Sequence, residues 1–102
     1  MAIKQTRTYV PPAGHDAVVS DIDWAETLSP EDKFQFYLGK HYQDARERAY
    51  IGIGKLTIDG NVYTWDSEES IAGCGEDATY RQYQDRYQAE TGVTITITTE
   101  TV

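Results

Sequence analysis

The chain has 102 residues, of which 17 are acidic and 9 basic, for a formal charge of −8. That length suits one domain with one core, spanning 1–102, and a hydrophobic share of 39% with eight Tyr and two Trp is too apolar and aromatic for a disordered segment. The negative surplus repels phosphate backbones and argues against direct nucleic-acid binding, no apolar run is long enough to span a bilayer, and a lone cysteine forms no internal disulfide.

Residues 3–10 are rich in β-branched and aromatic types and read as a strand, stopped by Pro11 and Pro12. From 11 to 29 neither the strand nor the helix period is sustained, which predicts a long loop pinned by Val18, Val19, Ile22, Trp24 and Leu28. Ser29-Pro30-Glu31-Asp32 is a helix start: a hydroxyl cap, a proline in the first turn, and two acids against the positive helix end. The helix is expected from Pro30 to about Arg48, with Phe34, Tyr37, Leu38, His41, Tyr42, Ala45 and Ala49 as its apolar stripe and Gly39 as a weak point.

Tyr50–Ile58 and Val62–Trp65 flank Asp59-Gly60-Asn61 and read as a hairpin. A two-residue loop puts Leu56, Ile58, Tyr63 and Trp65 on one face, the face expected to meet the helices. Asp66-Ser67-Glu68-Glu69 opens a second helical region, Gly73-Cys74-Gly75 breaks it, Glu76-Asp77 restarts it, and Gly92 stops it after about Thr91. Val93–Thr101 alternates, with Val93, Ile95 and Ile97 on one side and Thr94, Thr96 and Thr98 on the other. The β-α-β-β-α-β order points to an α+β, ferredoxin-like two-layer sandwich: a four-stranded antiparallel sheet with two helices on one face.

No constellation carries chemistry. His15-Asp16 with Asp21 and Asp23 matches no metal loop. His41 falls on the apolar stripe, as a core or boundary histidine does. Cys74, near the start of the second helix segment, lacks any identifiable activating base and reads as a small buried hydrophobe. Gly52-Ile53-Gly54-Lys55 lacks the strand, glycine turn and helix of a phosphate loop. Glu68, Glu69, Glu76 and Asp77 are the acids a helix start attracts. Catalytic, metal and cofactor residues are therefore assigned to none. Tyr80, Tyr83 and Tyr87, at i, i+3 and i+7, combine apolar rings with polar tips and suit either the helix's own sheet or a protein interface. With Thr94, Thr96 and Thr98 on the bare sheet face, they are the candidate interface.

Thr6-Arg7-Thr8-Tyr9-Val10-Pro11-Pro12, Tyr50-Ile51-Gly52-Ile53-Gly54-Lys55-Leu56, Trp65-Asp66-Ser67-Glu68-Glu69, and Arg86-Tyr87 with Thr91-Gly92-Val93 resemble short uncharacterised proteins of tailed bacteriophages, especially T4-like phages of cyanobacteria. The resemblance implies a phage setting, in the host cytoplasm or the virion, and supplies no functional residues. The expected function is a non-enzymatic protein-interaction or virion-associated module. Its partner would be itself and a phage or host protein, with no nucleic acid, membrane or cofactor involved. Two alternatives compete: an acidic DNA-mimic inhibitor of a host nucleic-acid-binding protein, motivated by the charge, and a small-molecule enzyme of the dimeric α+β barrel type with a pocket near His41, Tyr63 and Trp65.

Overall fold

In the computed structural model, which describes Met1–Val102 throughout, the β-branched run Ile3–Val10 forms β1 and ends at the two prolines. After it come α1 (Asp21–Ala25), α2 (Pro30–Gly52), β2 (Leu56–Asp59), β3 (Val62–Trp65), α3 (Glu68–Cys74), α4 (Ala78–Thr91) and β4 (Thr94–Thr101). The class is α+β, as expected, with one open antiparallel sheet in the order β2-β3-β1-β4. Since β3 lies between β1 and β2, the two strands joined through α2 are not neighbours. The chain divides into two compact units, the first of Met1–Thr8, Asp44–Gly75 and Thr96–Val102, the second of Tyr9–Gln43 and Glu76–Ile95.

In the first unit, β2 and β3 pair with Leu56 opposite Trp65, Ile58 opposite Tyr63 and Asp59 opposite Val62. The loop is therefore Gly60-Asn61, and only Gly60 has a positive φ, 59°, the pattern of a hairpin turn with glycine at its first central position. Burial falls along the hairpin: Leu56 and Trp65 at its base are buried, Tyr63 is half-buried, and Ile58 near the tip is exposed. The expected common face exists, but only its base reaches the interior. There Leu56, Trp65 and Cys74 pack with Tyr50, Tyr63 and Ile71, and the Tyr50 and Trp65 rings meet edge-on at 6.3 Å.

The second unit has an aromatic core of Trp24, Ala25, Phe36, Tyr83, Tyr87 and Val93, flanked by Tyr9, Val18, Leu28 and Ile95. Trp24 meets Phe36 at 6.0 Å and Tyr87 at 5.8 Å, both edge to face, the geometry that ring quadrupoles favour. The expected helix breaks hold here and in the first unit. Ser67 caps α3, Asp77 caps α4, and Gly92 closes α4 at φ 77°.

Three sequence expectations need correction. The 11–29 loop contains a helix, because Ser20 accepts a hydrogen bond from the Asp23 N–H at 3.1 Å and Trp24 and Ala25 anchor the turn in the core. A second correction concerns α2, which runs to Gly52 instead of Arg48, so that the strand expected from Tyr50 starts only at Leu56. The stop is a Schellman arrangement: Lys55 N–H donates to the Tyr50 carbonyl at 2.9 Å, Gly54 N–H to that of Ile51 at 3.0 Å, and Gly54 has φ 74°.

The third correction is the phase of α2. Its buried positions are Phe36, Gly39, Gln43 and Glu47, whereas Phe34, Tyr37, His41, Tyr42, Ala45 and Ala49 are exposed and Leu38 is half-buried. Gly39 explains the shift. A Cβ there would lie 2.7 Å from the Tyr80 backbone nitrogen, so glycine lets α2 approach the first turn of α4 where any side chain would hold it off. Gln43 faces the same end of α4, its Oε1 accepting from the Asp77 N–H at 2.8 Å.

Gly39→Ala should therefore destabilise the protein by ~1–3 kcal/mol through overpacking. Gly52→Ala, where an added Cβ meets nothing within 4 Å, should stabilise it by roughly 0.5–1 kcal/mol. Urea unfolding of both variants tests the pair, and similar effects from the two would refute a contact specific to Gly39.

Candidate interaction surface

Opposed residues in an antiparallel sheet share a face, so the register sorts the first unit's sheet into two surfaces. One carries the rows Leu56-Trp65-Ile3 and Ile58-Tyr63-Gln5, the other Thr57-Thr64-Lys4 and Asp59-Val62-Thr6. The first surface is the packed one: Trp65 Nε1 donates to Gln5 Oε1 at 3.1 Å, Tyr63 donates to Glu47 at 3.4 Å, and the Arg7 guanidinium sits 5.3 Å over the Tyr63 ring.

β4 extends the second surface. Val102 N–H donates to the Ala2 carbonyl at 2.9 Å, and the Thr98 and Thr96 hydroxyls reach the Thr6 and Thr8 carbonyls at 3.4 Å. Lys4 and Glu100 pair across the strands at 3.6 Å. The result is a face of six threonines, Thr6, Thr8, Thr57, Thr64, Thr96 and Thr98. Thr8, Thr57, Thr96 and Thr98 are exposed, while Thr6 and Thr64 are half-buried.

The candidate interface residues separate accordingly. Thr94, Thr96 and Thr98 are exposed on β4. Tyr83 and Tyr87, at 5% and 0% exposure, belong to the second unit's core, and Tyr80 is half-buried. The two buried hydroxyls stay satisfied, because Tyr83 donates to Asp32 at 2.9 Å and Tyr87 donates to the Val19 carbonyl.

Residues with chemical potential are occupied in holding helices together. Arg86 lies 5.7 Å over the Trp24 ring and 5.4 Å over Tyr83, and bonds Glu90 at 2.9 Å and Asp32 at 3.4 Å. Glu90 in turn accepts from Trp24 Nε1 at 3.2 Å. The hydrogen bond from Tyr83, reinforced by Arg86, holds the Asp32 carboxyl below its ordinary range. Asp21 accepts from Lys40 at 2.9 Å and from Gln84 Nε2 at 3.0 Å. Burial pushes the Asp21 pKa up, but the Gln84 hydrogen bond and then Lys40 outweigh it and hold the group below its usual value. Tyr87 is pushed up to about 12, first by burial and then by the Asp21 carboxylate and Tyr9. Gln84 Oε1 is buried without a partner.

The remaining sequence candidates occupy structural or exposed positions. Cys74 is the last residue of α3, not a helix start, and its thiol is pushed up by burial and then by Glu47, so it is a neutral packing group. His41 is exposed on α2, which corrects its expected place in a core stripe. His15 and Asp16 are exposed, Asp21 is engaged by Lys40, and no three His, Cys, Asp or Glu side chains gather as metal ligands. Gly52–Lys55 is the helix stop described above. Glu68 and Glu69 line an open hollow of about 290 Å³ with Met1, Ile3, Ser67 and Thr101. Gln43, Glu47, Ser70 and Gln84 are the buried polar residues that the sequence reading passed over. Only Gln84 carried a signal, its i+4 spacing from Tyr80.

No family model, curated protein or solved structure matches the chain. What the protein can do therefore follows from its own geometry. No helix is long and apolar enough to cross a membrane.

The Asp21 contacts have a defined pH signature. A carboxylate whose folded pKa is depressed contributes fully above its unfolded value, about 3.9, and loses that contribution as pH falls through the folded value. Asp21→Asn should lower stability by ~1–3 kcal/mol at neutral pH, and its deficit against the wild type should shrink as pH drops from about 4 toward 2. Denaturant melts across that range check it, and a deficit that stays constant in acid would show that ionisation of Asp21 contributes nothing.

Proposed function

We propose that the protein is a non-enzymatic interaction module that associates with itself and with a phage or host protein, through its open sheet, in the host cytoplasm or the virion. One observation carries the proposal: the regular face of threonines exposed on one side of the first unit's sheet. Threonine on a strand is suited to docking. Its β-branch leaves few rotamers to lose, and its hydroxyl both donates and accepts. Of the charges within the face, Lys4 and Glu100 are paired with each other, so a partner can cover those two without leaving either unmatched, and Asp59 lies at the hairpin tip. The phage setting comes from the sequence resemblance.

Each copy carries −8, so copies repel at a distance although the face itself is nearly neutral. Raising salt from about 0.05 to about 0.5 M shortens the range of that repulsion and should tighten self-association, read by sedimentation equilibrium. In affinity purification from infected bacteria, a protein retained by the wild type should be lost by the double variant Thr57→Lys with Thr8→Lys, which places charge on the face. Monomer under every condition, together with retention indifferent to the double variant, would remove the proposal.

A further inference from the structure

In an antiparallel pair only alternate residues exchange backbone hydrogen bonds with a given neighbour, and the residues between them turn their N–H and C=O groups to the other side. The bond from Val102 N–H to the Ala2 carbonyl sets this alternation on β4: Thr96, Thr98 and Glu100 face β1. Ile97, Thr99 and Thr101 point theirs outward, and β4 is the last strand of the sheet. The preceding outward N–H, that of Ile95, is taken by the Gln88 side chain at 3.0 Å. Beyond it the edge is open, with every residue of Thr96–Thr101 exposed and Ile97 at 55%.

Natural edge strands are guarded by shortness, proline, lysine or bulges. β2, the opposite edge, has only four residues. β4 has eight, Thr-Ile-Thr-Ile-Thr-Thr-Glu-Thr, with no Pro and no Lys, and Glu100, its one charge, is matched by Lys4. Such a strand presents to its surroundings the hydrogen-bonding row of an unfinished sheet.

Resting on the reading of the protein as self-associating, we infer that a second copy of this chain pairs with it β4 to β4, antiparallel about a two-fold axis, joining the two sheets. The row of alternating donors and acceptors is met only by another extended strand, and this strand is complementary to itself. With the axis at Thr99, Thr99 faces Thr99 and Ile97 faces Thr101, giving about six backbone hydrogen bonds. Glu100 then lies opposite Thr98, so the two carboxylates, each paired with its own Lys4, sit on a diagonal roughly 7–8 Å apart instead of directly opposed, and the exposed Ile97 side chains gain cover. The contact is isologous, as closed dimers require. It leaves the threonine faces uncovered and doubles them into one surface for a further partner.

Hydrogen exchange on the whole chain, at low and high concentration, tests the pairing alongside sedimentation. The amides of Ile97, Thr99 and Thr101 should slow as the dimer forms, while those of Thr96, Thr98 and Glu100 are slow at every concentration. Thr99→Pro removes an outward donor without touching the ladder to β1, and should weaken the dimer about tenfold or more with its circular dichroism spectrum unchanged. Ile97→Lys, a change of an exposed side chain, should do the same if the proline variant is poorly folded. A dimer whose 97, 99 and 101 amides exchange equally fast at both concentrations would place the self-contact elsewhere, overturning the edge pairing but not self-association. Monomer throughout would overturn both.

Discussion

β1 shares its backbone between two neighbours, and the alternation of that sharing sets the character of both sheet surfaces. Arg7 N–H donates toward β3, to the Asn61 carbonyl at 2.9 Å, and the Ala2 carbonyl accepts from the β4 side. Once odd positions belong to β3 and even positions to β4, side-chain direction follows without further freedom. Ile3, Gln5 and Arg7 join the tryptophan and tyrosine of β3, and Lys4, Thr6 and Thr8 join the threonines. A slip of one residue would place Ile3 on the threonine side and Lys4 beside Leu56 and Trp65, burying an unmatched charge. The same alternation decides which groups of β4 face outward, so surface and edge share one cause.

The second unit solves a different problem, that of packing helices rich in polar side chains. Phe36, Tyr83, Tyr87 and Trp24 provide the apolar volume, and the polar tips of three of them leave the core on fixed partners: Asp32, the Val19 carbonyl and Glu90. Aromatics with a polar end can fill an interior whose rim is wet. Arg86 is both a ring contact and a tie between two acids. Such ties add modestly to stability where they are exposed.

Apart from the boundary between α2 and β2, strands and breaks were legible in the sequence because their signals are local. Proline ends β1, glycine turns the hairpin and closes α4, and Ser67 and Asp77 accept from backbone donors of the turns they precede. α2 was legible in period but not in phase. Its exposed side is the more aromatic one, and the buried side is chosen by Gly39 against the Tyr80 backbone, a contact between residues far apart in sequence. α1 was missed because five residues carry too little periodicity to register, and its anchoring depends on a distant core. The candidate surface was half legible: the alternation of β4 exposed its threonines, but Thr57 and Thr64 join them only through strand register. The tyrosine stripe was correct as a stripe, yet the direction it faces is a tertiary fact.

Charge and shape act at different ranges in this protein. Acids and bases alternate closely enough that Arg81 bridges Glu76 and Asp85, and Lys33 holds Glu26 at 2.8 Å. The surplus acts as a diffuse repulsion that 0.1 M salt largely screens beyond about 10 Å. Backbone pairing acts only at contact and only in register. A molecule combining the two resists indiscriminate clustering while keeping one strand edge able to zip when orientation is right, since the diffuse term penalises every encounter alike and the hydrogen-bonded row favours one geometry. The acidic composition is then compatible with a specific self-contact, because its cost is uniform and the gain is confined to one strand whose single charge, Glu100, is matched by Lys4.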